Sequence, residues 1–171
     1  GLGDVYKRQN FSMEAIEQTW NGGSSADGRC TATISRNGDL IHRMYLEVKV
    51  GSAGKDSVAN PGSQSITDVE LEIGGQRFDR DYVELYNIWN ELSTPESIAI
   101  GLKSMQRCIG TTATSGVSEA QIPLNFWFCR NPGLALPLIA LQYHEVKVIL
   151  NHTVGTVYTS APTNTCLLYT S

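Results

Sequence analysis

The stretch Ile122–Val148, IPLNFWFCRNPGLALPLIALQYHEVKV, decides how the chain folds. It holds two strand-like runs. The first, Leu124–Cys129, sets Phe126, Trp127 and Phe128 in a row. The second, Leu138–Leu150, alternates over its last half. His144, Val146, Val148 and Leu150 fall on one side, and Tyr143, Glu145, Lys147 and Ile149 on the other. A period of two marks a half-buried strand. Asn131-Pro132-Gly133 between the runs is a turn, because proline fixes φ and glycine takes the positive φ that a bulky residue resists. That much apolar surface around one corner must be buried, and the rest of the chain supplies the cover.

Upstream, Leu40–Val50 (LIHRMYLEVKV) alternates throughout: His42, Met44, Leu46, Val48 and Val50 face one way, Arg43, Tyr45, Glu47 and Lys49 the other. Asn37-Gly38 and Asp39 turn the chain into it. Cys30–Ser35 is a shorter β-prone run with Cys30, Ala32 and Ile34 on one side. Ile66–Arg77 carries the strongest hairpin signal. Val69, Leu71 and Ile73 alternate with Glu70 and Glu72, Gly74-Gly75 suits a two-residue primed turn, and Gln76, Phe78 and Arg80 begin the return. The period then changes: Tyr82, Leu85, Tyr86, Trp89 and Leu92 recur at helical spacing. Thr94-Pro95 with Glu96 reads as the start of a second helix, continued by Ile98, Leu102, Met105 and Ile109. Phe11–Asn21 fits a helix through Met13, Ile16 and Trp20, or a strand through Phe11, Met13 and Ala15. Asn21–Gly28, Gly51–Ser65 and Thr111–Ser118 are polar loops. About six alternating strands without helices between them predict an antiparallel sandwich with one short helical insertion, not a βαβ fold.

The ends, residues 1–9 and 166–171, read as translated DNA adapter. Asp4–Gln9 back-translates as GAT-GTG-TAT-AAG-AGA-CAG; its reverse complement, read one base out of frame and extended by one T, encodes Cys166–Ser171. The expected domain is therefore 10–165, a piece of a longer gene product truncated at both ends. The hydrophobic content of 41% is that of a globular protein, and the net charge of -4, without a basic patch, argues against nucleic acid as main partner. No apolar run approaches the ~20 residues of a membrane span. With Cys166 set aside, Cys30, Cys108 and Cys129 form an odd, widely spaced set with no disulfide framework, which predicts buried free thiols.

The sequence carries no recognisable catalytic, cofactor-binding or metal-binding set. His42 and His144 lie on the apolar sides of their predicted strands, where a hydrogen-bonded core role is expected. His144-Glu145 opens like HExxH, but Val148 stands where the second ligand belongs. There is no GxSxG elbow and no phosphate-cradling glycine loop. Glu70/Glu72 and Asp79/Asp81 are carboxylates two apart, expected on a solvated strand face or guarding an edge. Arg36 and Arg77, beside turns, are expected to pair with nearby acids. Sequons occur at Asn10 and Asn151. In a strand, Trp127 would face away from Phe126 and Phe128 and serve a contact between domains or subunits.

SRNGDLI (Ser35–Ile41), DVELEIGGQRFD (Asp68–Asp79) and above all NPGLALPLIALQYHEVKV (Asn131–Val148) closely resemble the major capsid protein of nucleocytoplasmic large DNA viruses, including algal viruses and iridovirus-like relatives. NFSMEAIEQTWNG (Asn10–Gly22) is similar to that family's first strand region, so the resemblance implies a strand there. The blocks occur in order across nearly all of Asn10–Asn151, while Gly51–Ser65 and Ser93–Ser118 match poorly. The resemblance implies an all-β antiparallel jelly-roll sandwich, the first half of a double jelly roll, lacking its last strand or strands and the second jelly roll. It implies a structural virion protein and no enzyme or cofactor, made in the host cytoplasm and placed in the capsid. The implied partners are its own copies, as a trimeric capsomer of pseudo-sixfold outline, neighbouring capsomers and minor capsid proteins. A carbohydrate-binding, lectin-like jelly roll and a cupin-type metalloenzyme are the alternatives from other classes.

Overall fold

The computed structural model describes residues 12–23, 27–50, 61–106, 118–154 and 162–170. Cys108, Ile109, the sequon at Asn10, residues 1–9 and most of two predicted polar loops (51–60 and 111–117) lie outside them. The strands begin with β1 (Ala15–Thr19), β2 (Asn21–Gly22), β3 (Gly28–Thr33), β4 (Leu40–Ile41) and β5 (Arg43–Val50). A short helix α1 (Pro61–Gln64) precedes β6 (Ile66–Ile73) and β7 (Gln76–Tyr82). Helices α2 (Val83–Ser93) and α3 (Glu96–Met105) form the insertion. Then come β8 (Ser118–Pro123), α4 (Trp127–Arg130), β9 (Leu136–Pro137), β10 (Val146–His152) and β11 (Pro162–Thr170).

The strands form two antiparallel sheets, β1-β11-β5-β8 and β2-β3-β10-β6-β7, with β4-β9 as a small annex. The chain changes sheet between β5 and β6 and again between β7 and β8, so sequential strands face each other across the core in jelly-roll fashion. Alternation fills the space between: Met44, Leu46 and Val48 from β5 with Ala120 and Ile122 from β8, against Cys30 and Ala32 from β3, Val69 and Leu71 from β6, and Val146, Val148 and Leu150 from β10. The hairpin forms as its glycines predict. Gly74 and Gly75 have φ of 61° and 82°, the left-handed pair that a primed turn needs. The N-terminal segment is a strand, as the resemblance implies.

The quoted corner folds differently from its simplest reading. Leu124–Cys129 is not a strand. β8 stops at Pro123, the Leu124 N–H donates to Met44 O (2.9 Å), and the chain bends inward into the single turn α4. An unbroken apolar run has no period to choose its element; here one helical turn lets both Phe126 and Phe128 plug the sandwich at 0% exposure, their rings 5.7 Å apart. Gly133 is not left-handed either. The Asn131 side chain accepts from the Gly133 N–H (3.0 Å), and Pro132–Leu134 forms a 3-10 turn, so the side-chain bond replaces the glycine's special φ. The second run becomes a strand only at Val146; before it, turns closed by Leu141 N–H to Leu138 O (3.1 Å) and His144 N–H to Leu141 O (2.9 Å) carry the chain round. Leu40–Val50 breaks at His42, because β4 pairs with β9 while β5 joins the main sheet. Thr94 closes α2 through its N–H to Asn90 O (3.1 Å), and Pro95 takes the cap position of α3.

Candidate functional site: a cross-braced sheet face and an uncovered helix

The outer face of the five-stranded sheet carries a charge network centred on Arg80. Register sets Glu70 between Arg80 and Ile149. Arg80 Nη2 donates to Asp68 Oδ2 (3.0 Å), and its Nε lies 3.2 Å from Glu70 Oε1. Arg77 and Arg29 approach the same Glu70 at 3.7 and 4.0 Å, and Asn151 Nδ2 donates to Asp68 Oδ1 (2.7 Å). The hydrogen bond to Asp68 is the main cause that raises the Arg80 pKa. The planar, multi-donor Arg80 thus ties β7 to β6 in a way that lysine could not replace, and the same two β6 acids reach Asn151 of β10 and Arg29 of β3. Arg77 pairs with an acid as expected. Arg36 does not: its Nη2 donates to the carbonyls of Leu141 (2.9 Å) and His144 (3.2 Å), pinning the turns before β10.

Asp79 and Asp81 do not share a face with the glutamates. Register places them opposite Leu71 and Val69, so both point inward from the edge strand β7. Asp81 is half-buried and its Oδ2 has no hydrogen-bond partner. Burial foremost, then Asp79, pushes its carboxyl above the usual range, while Arg130 pulls it back. Inward charges on an edge strand discourage pairing with a further strand.

The histidines are dispersed. His42 is half-buried between β4 and β5. His144 is exposed beside Gly74, contrary to its predicted apolar side, because the strand starts after it. His152 is the buried one, at 3% exposure, with Nε2 3.0 Å from Gly23 O. Among the described residues no three His, Cys, Asp or Glu side chains stand together as a metal set. Cys30 and Cys129 are free, and burial pushes each thiol up to about 12. The sequon at Asn151 sits inside β10 with its amide tied to Asp68. Trp127 is half-buried against the Phe128 ring edge (5.2 Å), not on an outward strand face.

The insertion is turned unexpectedly. Of the apolar stripe on α2 only Tyr86 is buried, its hydroxyl accepting from Gln106 Nε2 (2.6 Å). Leu85, Ile88, Trp89 and Leu92 are exposed. The polar side, Asn87, Asn90 and Glu91, instead lines a groove of about 460 Å³ shared with Glu96 and Lys103 of α3. Arg130 of α4 lies 4.5 Å over the Trp89 ring. Nothing in these arrangements pairs a nucleophile with a base; they brace a sheet and present an apolar surface.

The family described as "Major capsid protein N-terminus" matches residues 3–166. The chain belongs to this capsid protein family. The major capsid protein of Pyramimonas orientalis virus is 52% identical over 161 residues, covering 85% of this chain and 39% of that relative. A solved structure of the PBCV-1 virus capsid covers 97% of this chain and 43% of its own, with TM-score 0.81 and 33% identity. The Faustovirus major capsid protein gives TM-score 0.67 over 96% of this chain at 11% identity, a likeness of fold alone. The chain thus spans less than half the length of the first two relatives. The antiparallel jelly roll with short helices is the fold of this capsid family, a structural and not an enzymatic one.

Proposed function

We propose that the chain is the first jelly roll of a double-jelly-roll major capsid protein, three copies of which form a capsomer of pseudo-sixfold outline in an icosahedral large DNA virus. The observation that carries this reading is the family match over nearly the whole chain, joined to a relative at 52% identity. The physics agrees: a shell subunit needs stiff plates, and both the interdigitated core and the Arg80 bracing stiffen a sheet. Its place is the virion capsid, with its own copies and neighbouring capsomers as partners. Residues 1–9 and 166–171 we read as adapter-derived; resequencing the source gene across both ends tests this, and a native gene encoding CLLYTS at that place rejects it. For the main reading, the protein continued to its natural C-terminus should sediment as a trimer and show hexagonal outlines by electron microscopy. A strict monomer at micromolar concentration would reject the capsomer.

A further inference from the structure

We propose that the exposed stripe of α2 is the seat of the rest of the same polypeptide: the part of the capsid protein that lies outside this chain packs on Leu85, Ile88, Trp89 and Leu92. This rests on the capsid reading above and adds the surface by which the two parts of one chain hold together. The stripe has the spacing i, i+3, i+4, i+7 of a helix made to be covered, with no charged residue among the four. Nine of the fourteen exposed large apolar side chains among the described residues fall between Phe78 and Met105. The four on α2 share one helix face, and an exposed contiguous apolar face marks an interaction site. The helix is also oriented for it, since its polar side is spent on the groove with α3.

Two features select the occupant. More than half of the solved relative's chain lies outside the part that matches here, so ample polypeptide exists to cover one helix. A surface that meets other copies must also stay soluble until they arrive, which favours a polar rim and scattered charge. Leu85, Ile88 and Leu92 are uncharged, while Arg130 stacks over the Trp89 ring; an apolar strip of this kind resembles a permanent, core-like interface.

Hydroxyl-radical labelling tests the proposal on two proteins, the 171-residue chain and the protein continued to its natural C-terminus. Labelling of Trp89 and Leu92 should fall several-fold in the longer protein, and equally at all concentrations. Protection that appears only as copies associate would overturn the proposal in favour of a copy-to-copy contact, and no protection would overturn it outright. Sedimentation of the same samples keeps the two readings apart: trimers with an unprotected helix reject this inference alone, and a protected monomer rejects the trimer alone. The variant Leu85→Lys/Leu92→Lys serves as control. It should leave the melt of the 171-residue chain unchanged and lower that of the longer protein; equal loss in both would show the stripe already packed within this chain, against the proposal.

Discussion

At the scale of single residues, the informative side chains are polar groups in apolar places. Asp81 holds a carboxyl raised chiefly by burial. A raised folded-state pKa contributes stability fully below the unfolded value near 4, and that contribution is lost as pH rises through the folded value. At neutral pH the charge is therefore a cost. Asp81→Asn should raise the melting temperature at pH 7, by an amount that solvent screening keeps small. The gain should vanish as pH falls below the unfolded value; a larger gain at low pH would contradict the burial argument. The thiols make a second test. With Cys30 and Cys129 pushed up to about 12, almost no thiolate exists at pH 8. Iodoacetamide should leave both unmodified in the folded chain and label both in urea, as read by mass spectrometry. Part of this was legible beforehand. His152 shares the parity of Val146, Val148 and Leu150, so carrying the alternation two residues further identifies the buried histidine. The inward aim of Asp79 and Asp81 was not legible, because it depends on which cross-strand register the hairpin takes, and a bulge at Leu71/Glu72 shifts that register.

At the scale of elements, periodicity located what had a period and failed where there was none. β5 and β6 alternate cleanly and are strands at or within a few residues of their predicted bounds, whereas the run Leu138–Leu150 becomes the strand β10 only from Val146. Phe126-Trp127-Phe128 offers only apolarity, and the structure buries both phenylalanines in the core through a helical turn and not a strand. For α2 the spacing gave the helix correctly but not its burial, since a stripe says which side is apolar and not what covers it. The hairpin yields a sharp prediction. Both turn glycines are left-handed, but a Cβ on Gly75 meets open space whereas one on Gly74 lies 2.7 Å from His144 Nδ1. Gly75→Ala should cost about 1 kcal/mol from backbone strain alone. Gly74→Ala should cost more, and His144→Ala should recover the difference, a coupling that a double-mutant cycle in urea would register. Equal costs for the two glycines would place the strain wholly in the backbone.

At the scale of the molecule, the four-stranded sheet is assembled from opposite ends of the chain. β1 touches its sheet through β11 alone, and every one of its register partners, from Ala15↔Thr170 to Thr19↔Cys166, lies in the segment Cys166–Thr170. The same segment fills the ladder beside Glu47 to Arg43 of β5. Outside that sheet, hydrogen bonds between the Gln18 side chain and Ser35 (2.8 and 3.2 Å) anchor the strand. Such pairing must overcome the closure entropy of nearly the whole chain. Ending the chain at Thr165 should therefore release β1 as a unit while the β3-β10-β6-β7 layer stays folded. Hydrogen exchange would show it: amides of Ala15–Thr19 should lose protection, and those of Val148, Leu150 and Leu71, in the middle of the other sheet, should keep theirs. Replacing Cys166–Ser171 by a different extended segment of the same length should keep β1 protected, since backbone pairing asks only for an extended segment of the right length. Loss of protection throughout both sheets on that truncation would mean that the two layers unfold as one, and that β11 is required for the whole sandwich and not for the edge it carries.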